Sequence, residues 1–202
     1  MHTDYEDDVS ELFNGKELTP ENLYKHTLDV IKDRWPKAEP IIMEDPDYAV
    51  DYARYVVKGR WPEVEPIIME DPERAIYYAR YVIRGRWPEA EPHIMQNPAL
   101  ANWYACYVIK GRWPEAEPTI MKDPGGACFY ARDVIDDRWP EAEPTIIEDI
   151  TYAFWYARDV IKGRWPEAEP RMMKNPYTWR AYCEYFGIDR WAVYKAYRSS
   201  QL

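Results

Sequence analysis

The chain is poor in the residues that build most chemical sites. It holds three histidines and three cysteines in 202 residues. Cys106, Cys128 and Cys183 are odd in number and have no CxxC spacing, so neither a disulfide framework nor a zinc site follows from them. Each stands in a helical pattern as a small apolar residue, which fits a reducing, cytosolic compartment. His2, His26 and His93 are scattered, and no metal set or cofactor motif can be drawn through them. A Gly-rich phosphate loop and a nucleophile elbow are both missing. Long apolar runs are missing too, and the opening residues MHTDYEDD are acidic where a secretory signal is basic and then apolar. The expectation is a cytoplasmic protein with no membrane segment and no cofactor. Basic charge is the last shortage: 26 Lys and Arg against 36 Asp and Glu leave a formal charge of −10, the wrong sign for coating double-stranded nucleic acid.

What the chain has in abundance is repetition. The string RWPEAEP or a close variant recurs, placing Trp35, Trp61, Trp87, Trp113, Trp139 and Trp165 at intervals of 26 residues, and the count continues to Trp191. Counting backwards from Asp45-Pro46 reaches Thr19-Pro20, so a degenerate first copy begins near Thr19.

Helix signals within one copy are explicit. Asp71 is an N-cap, Pro72 suits the first helical position, and Gly85 is placed to end the pattern in the left-handed conformation. The expected long helix spans roughly 72–84. Its apolar positions Ala75, Tyr78, Ala79, Val82 and Ile83 follow the i, i+3, i+4, i+7, i+8 rule of one buried stripe. His26 occupies the stripe position that later copies give to tyrosine and is read as a core histidine. The second element carries Pro88 and Pro92 ahead of Ile94 and Met95. Pro92 must lie within its first turn, because a deeper proline would lose a hydrogen bond and clash, so this helix is limited to about two turns.

A single such hairpin cannot bury its stripe, whereas stacked neighbours can. The fold expected is therefore all-α: a right-stacked helical-hairpin solenoid of about seven 26-residue repeats. Residues 1–18 form an acidic cap or arm, 19–191 the repeats, and 192–202 a C-terminal capping segment.

Copies reading YARDVIKGRWPEAEP, as at 156–170, resemble the short helical-repeat proteins encoded by large tailed bacteriophages, and the likeness covers about residues 19–191. The resemblance implies a phage or phage-derived origin and action inside an infected bacterium; it brings no catalytic motif. Gly125-Gly126, Ile150 in place of the helix-start proline, and the altered last copy depart from the pattern.

Positions that stay constant from copy to copy belong to packing. On that ground the arginine preceding each tryptophan is assigned to a carboxylate such as Glu63 or Glu65, clamped bidentately within the repeat or across to the next one, and the tryptophans to the core. Positions that vary are the candidates for recognition. The phase of Asp51 becomes Tyr77, Trp103, Phe129, Trp155 and Ala181; the preceding phase runs Val50, Ile76, Asn102, Cys128, Phe154 and Arg180. One turn on stand Tyr55, Tyr81 and Tyr107, which become Asp133 and Asp159, beside Arg54, Arg80, Arg132 and Arg158. The expected partner-binding set is Tyr77, Trp103, Phe129, Trp155, Tyr81, Tyr107, Arg80, Arg132 and Arg158, a strip of aromatics and arginines with the composition of a binding hot spot. The function expected is a non-enzymatic protein-binding scaffold that inhibits or redirects a bacterial host protein, a defence protein being one version. The alternative is a reader of nucleotides or single strands that stacks one ring per repeat.

Overall fold

The computed structural model describes residues 17–199, whose regular secondary structure is helical, with no strand among the described residues. Apart from Glu17 and Leu18, the acidic segment read as a cap or arm lies outside them. The chain divides into two compact units, Met1–Ile94 and Met95–Leu202. In the first, the order is α1 (Pro20–His26), α2 (Glu39–Ile42), α3 (Pro46–Tyr52), α4 (Glu65–Met69), α5 (Pro72–Tyr78) and α6 (Glu91–Ile94). In the second it is α7 (Pro98–Tyr104), α8 (Glu117–Ile120), α9 (Pro124–Tyr130), α10 (Glu143–Ile146), α11 (Ile150–Tyr156), α12 (Glu169–Met172), α13 (Pro176–Phe186) and α14 (Arg190–Ser199). Pairs of one longer and one shorter helix thus recur every 26 residues.

Each longer helix starts where its cap dictates. Asp71 is extended, and its carboxylate accepts the N–H groups of Glu73 at 2.9 Å and Arg74 at 3.3 Å; Thr19, Asp45, Asn97, Asp123, Asp149 and Asn175 cap in the same way. The cap alone suffices for α11, which begins at Ile150 without the proline. The short helices keep their proline within the first two positions, as in Glu65-Pro66, and their α-helical part is only about one turn.

The helix ends differ from the expected ones. After Tyr78 the helix widens into five residues of π-helix, Ala79–Ile83, and the same happens at Thr27–Ile31, Ala53–Val57, Ala105–Ile109, Ala131–Ile135 and Ala157–Ile161. The left-handed residue is not Gly85 but the one before it: Lys32, Lys58, Arg84, Lys110, Asp136 and Lys162 have φ between 53° and 61°. The cause is visible at Ala105, whose carbonyl accepts both the Lys110 N–H at 2.7 Å and the Gly111 N–H at 3.3 Å, so the chain must reverse at 110. Glycine is not required at the following position. Asp33 and Asp137 fill it in two copies, and their carboxylates accept the N–H groups of Arg34 at 2.8 Å and Arg138 at 2.7 Å. Helix α13 ends instead with Gly187 left-handed at φ 64° and no π segment.

The alanines of the stripe, Ala53, Ala79, Ala105, Ala131 and Ala157, are fully buried, and so are Tyr52, Tyr78, Tyr104, Tyr130 and Tyr156. The tryptophans preceding each short helix, Trp35 to Trp165, are buried as expected, with Trp113 at 0% exposure, but Trp191 is 61% exposed because no further copy follows to cover it among the described residues. The arginine before six of these tryptophans clamps the glutamate five residues on: Arg60 Nε and Nη2 donate to Glu65 at 2.8 and 2.7 Å, and Arg34, Arg86, Arg112, Arg138 and Arg164 do likewise; Arg190 has Lys195 at that place and lies over the Trp191 ring instead. The stripe tyrosine of the following copy closes this clamp. Tyr78 donates its hydroxyl to Glu65 Oε1 at 3.1 Å and accepts the backbone N–H of Trp61 at 2.6 Å. One buried phenol therefore fastens two consecutive copies. The guanidinium is about half exposed, so the ion pair itself contributes little. Its value lies in leaving no carboxylate oxygen unsatisfied where Glu65 is buried.

Candidate interaction surface

The variable strip forms on the longer helices because residues four apart share a face. In the first unit the Tyr77 and Tyr81 rings lie 4.5 Å apart. The Arg54 guanidinium sits above Tyr81 at 4.3 Å, Tyr55 at 4.7 Å and Tyr77 at 5.4 Å, and it donates from Nη1 to the Tyr77 hydroxyl. Arg80 lies over Tyr81 at 5.0 Å. Tyr55 is 44% exposed, while Tyr77, Tyr81 and Arg54 are half-buried.

In the second unit Trp103 meets Tyr107 edge-on at 5.9 Å, and Phe129 and Trp155 from successive copies approach to 6.0 Å. Arg132 stands over Phe129 at 4.8 Å. Trp103, Phe129 and Trp155 are half-buried and Tyr107 is 45% exposed. Arg132 and Arg158 are not open cations: each is clamped through Nε and Nη2 by the aspartate that follows it, Asp133 at 2.7 and 2.8 Å and Asp159 at 2.6 and 2.7 Å. The Arg158 guanidinium, by its hydrogen bonds, holds the Asp159 carboxyl below the usual carboxylate range.

The neighbouring phase is mixed: Arg180 is exposed, and Asn102 and Phe154 are half-buried. Val50, Ile76 and Cys128 are buried, because a residue three before the stripe alanine lies on the alanine's face. Their variability is core variability. Burial pushes the Cys128 thiol up to about 12 and the Cys106 thiol up to about 11, so neither is a thiolate nucleophile near neutral pH.

Tyr152 belongs to the surface and was not in the expected set. Its ring meets Phe129 at 5.8 Å and Trp155 at 5.5 Å. Its hydroxyl end lies over Gly125: a Cβ there would come within 2.8 Å of the Tyr152 ring. Glycine in the first turn of α9 was the signal available in the sequence, since a missing side chain in a helix marks a close approach by something large.

No group of three His, Cys, Asp or Glu side chains suited to a metal ion occurs among the described residues, and no described helix is long and apolar enough to cross a membrane. A cavity of about 370 Å³ lined by Met173, Pro176, Trp179, Arg190, Trp191 and Tyr194 shares no residue with the strip. Comparison with protein-family models, curated proteins and solved structures finds no match to this chain.

Proposed function

We propose that the chain is a non-enzymatic protein-binding scaffold, a solenoid of about seven stacked helical hairpins, whose variable aromatic strip grips its partner. The resemblance to phage-encoded repeat proteins makes that partner a bacterial host protein, which the scaffold inhibits or redirects in the host cytoplasm. One observation carries the reading: the phase holding Tyr77, Trp103, Phe129 and Trp155 is half-exposed and changes from copy to copy, whereas the alanine phase beside it is buried and constant. Large rings at an exposed, varying position serve contact with something outside the chain. The reading as a nucleotide or single-strand reader is disfavoured by Asp133 and Asp159, which neutralise the arginines beside Phe129 and Trp155 that would meet phosphate.

The test is capture from bacterial lysate with and without nuclease, followed by mass spectrometry. A nuclease-resistant protein partner supports the scaffold; a co-purifying nucleotide or oligonucleotide in its place would overturn it.

A further inference from the structure

The copies treat one arginine in two ways. At the phase of Arg54, the fifth and sixth copies carry Arg132 and Arg158, and the next residue supplies a carboxylate that occupies the Nε–Nη2 edge of each guanidinium. The same edge is the one with which Arg34 and Arg60 hold Glu39 and Glu65. In the second copy the residue after Arg54 is Tyr55, so the internal carboxylate is gone while the guanidinium remains.

Nothing else among the described residues replaces it. Arg54 makes one hydrogen bond, from Nη1 to the Tyr77 hydroxyl, and its flat faces rest among Tyr55, Tyr77 and Tyr81 at 4.7, 5.4 and 4.3 Å. Its Nε–Nη2 edge has no acceptor among the described residues. The three rings hold the guanidinium in a fixed plane through cation–π contact, which removes much of the entropy cost that a free arginine side chain meets on binding. A planar fork with two parallel N–H groups matches a carboxylate. Asp51, three residues earlier, is near enough to interact with Arg54 electrostatically, and its negative charge penalises a dianion more than a singly charged carboxylate.

We propose that Arg54, cradled by Tyr55, Tyr77 and Tyr81, is a preorganised carboxylate receptor, and that its occupant is a glutamate or aspartate side chain of the protein partner. The occupant, though not the receptor, rests on the protein-binding reading above. The partner then presents an acidic residue to the first unit, with apolar groups beside it to cover the tyrosine faces.

The receptor is tested without the partner. In the ¹⁵N-labelled full chain, the Arg54 Nε–Hε signal, assigned by its loss in Arg54→Lys, is followed while sodium acetate, sodium chloride or inorganic phosphate is added at matched ionic strength. Acetate should shift the signal saturably, with a half-saturation at least threefold lower than either other anion. Tyr55→Asp, which recreates the arrangement of Arg132 and Asp133, should abolish the response while leaving the circular dichroism spectrum unchanged. No acetate-selective shift, or tighter binding of phosphate, would overturn the receptor. The partner captured by the wild-type chain should be retained at least tenfold less by Tyr55→Asp, and equal retention would overturn the occupant. Acetate saturation with no protein captured would overturn the occupant together with the protein-binding reading, and leave the receptor standing.

Discussion

The hydroxyl of Tyr130 lies 2.6 Å from the backbone nitrogen of Trp113, seventeen residues upstream, and accepts its N–H. The same hydroxyl donates to Glu117 at 3.1 Å, and Glu117 is clamped by Arg112. Removing that one oxygen leaves the buried Trp113 N–H without its acceptor and takes one hydrogen bond from Glu117, which keeps the Arg112 clamp. Tyr130→Phe should therefore cost about 1–3 kcal/mol, the penalty of a buried unsatisfied group. Tyr55→Phe, at a 44% exposed ring, should stay within about 0.5 kcal/mol. Urea denaturation of the two variants makes the comparison.

Trp113 is fully buried and its indole Nε1 has no hydrogen-bond partner among the described residues, so its contribution there is packing, including a Tyr104 ring 5.0 Å away. Trp113→Ala should cost about 3–5 kcal/mol, as large-to-small changes at packed aromatics do. A near-neutral denaturation midpoint would contradict its burial.

Left-handed non-glycine residues are costly, and six of them recur among the described residues. Arg84→Gly should stabilise the protein by about 0.5–1 kcal/mol, the relief of αL strain less the added chain entropy of glycine. Gly85→Ala should be tolerated within about 0.5 kcal/mol, because an added Cβ meets nothing within 4 Å and the backbone there is not left-handed. Thermal melts of both variants check the pair; the reverse ranking would restore Gly85 as the helix-ending residue.

Stability should fall at both ends of the pH range, for different groups. Glu117 has its pKa lowered, first by the Arg112 hydrogen bond. Its contribution is present above its unfolded value of about 4.5 and is lost as pH falls through the lower folded value. Burial raises Tyr24, Tyr130 and Tyr182 to about 12. Their contribution is complete below the unfolded value of about 10 and is lost as pH rises towards 12. Alkaline unfolding followed by circular dichroism should coincide with tyrosinate absorbance; early titration of every tyrosine with the helices intact would contradict the burial.

Trp103 and Trp155 are half-buried on the second unit's strip, so their joint replacement by alanine tests the surface directly. Each hot-spot truncation costs about 2 kcal/mol or more, and the double variant should bind the captured partner at least about tenfold more weakly. Its helical signal should persist. A folded double variant that binds unchanged would place the site on another face.

Much of the repeat was legible from residue order because its signals act over a few residues. Asp71-Pro72 starts a helix by a cap and a fixed φ, Pro92 limits the short helix by its missing N–H, and Arg60 reaches Glu65 only five residues away. The half-exposed rings of the strip also followed from phase, since Tyr77 and Tyr81 are one turn apart. The reading of the preceding phase as surface failed at Val50, Ile76 and Cys128. Variation between copies shows that a position tolerates change, and a core repacked locally tolerates it as a surface does.

By itself the sequence determined the 26-residue period, the helix starts and the buried alanine and tyrosine stripe, all consequences of proline sterics, capping and helical periodicity within one copy; it also pointed to a carboxylate for each motif arginine, and the structure chose Glu65 over Glu63. Only the tertiary structure decided the rest: the π segments, reversal at Arg84 rather than Gly85, the tyrosine hydroxyl that joins one copy to the tryptophan of the copy before it, the seat of Tyr152 over Gly125, and the tyrosine cradle of Arg54. Each of these depends on a group brought near by packing between copies, or on a carbonyl shared by two N–H groups at a helix end, and neither is encoded in the spacing of residue types along the chain.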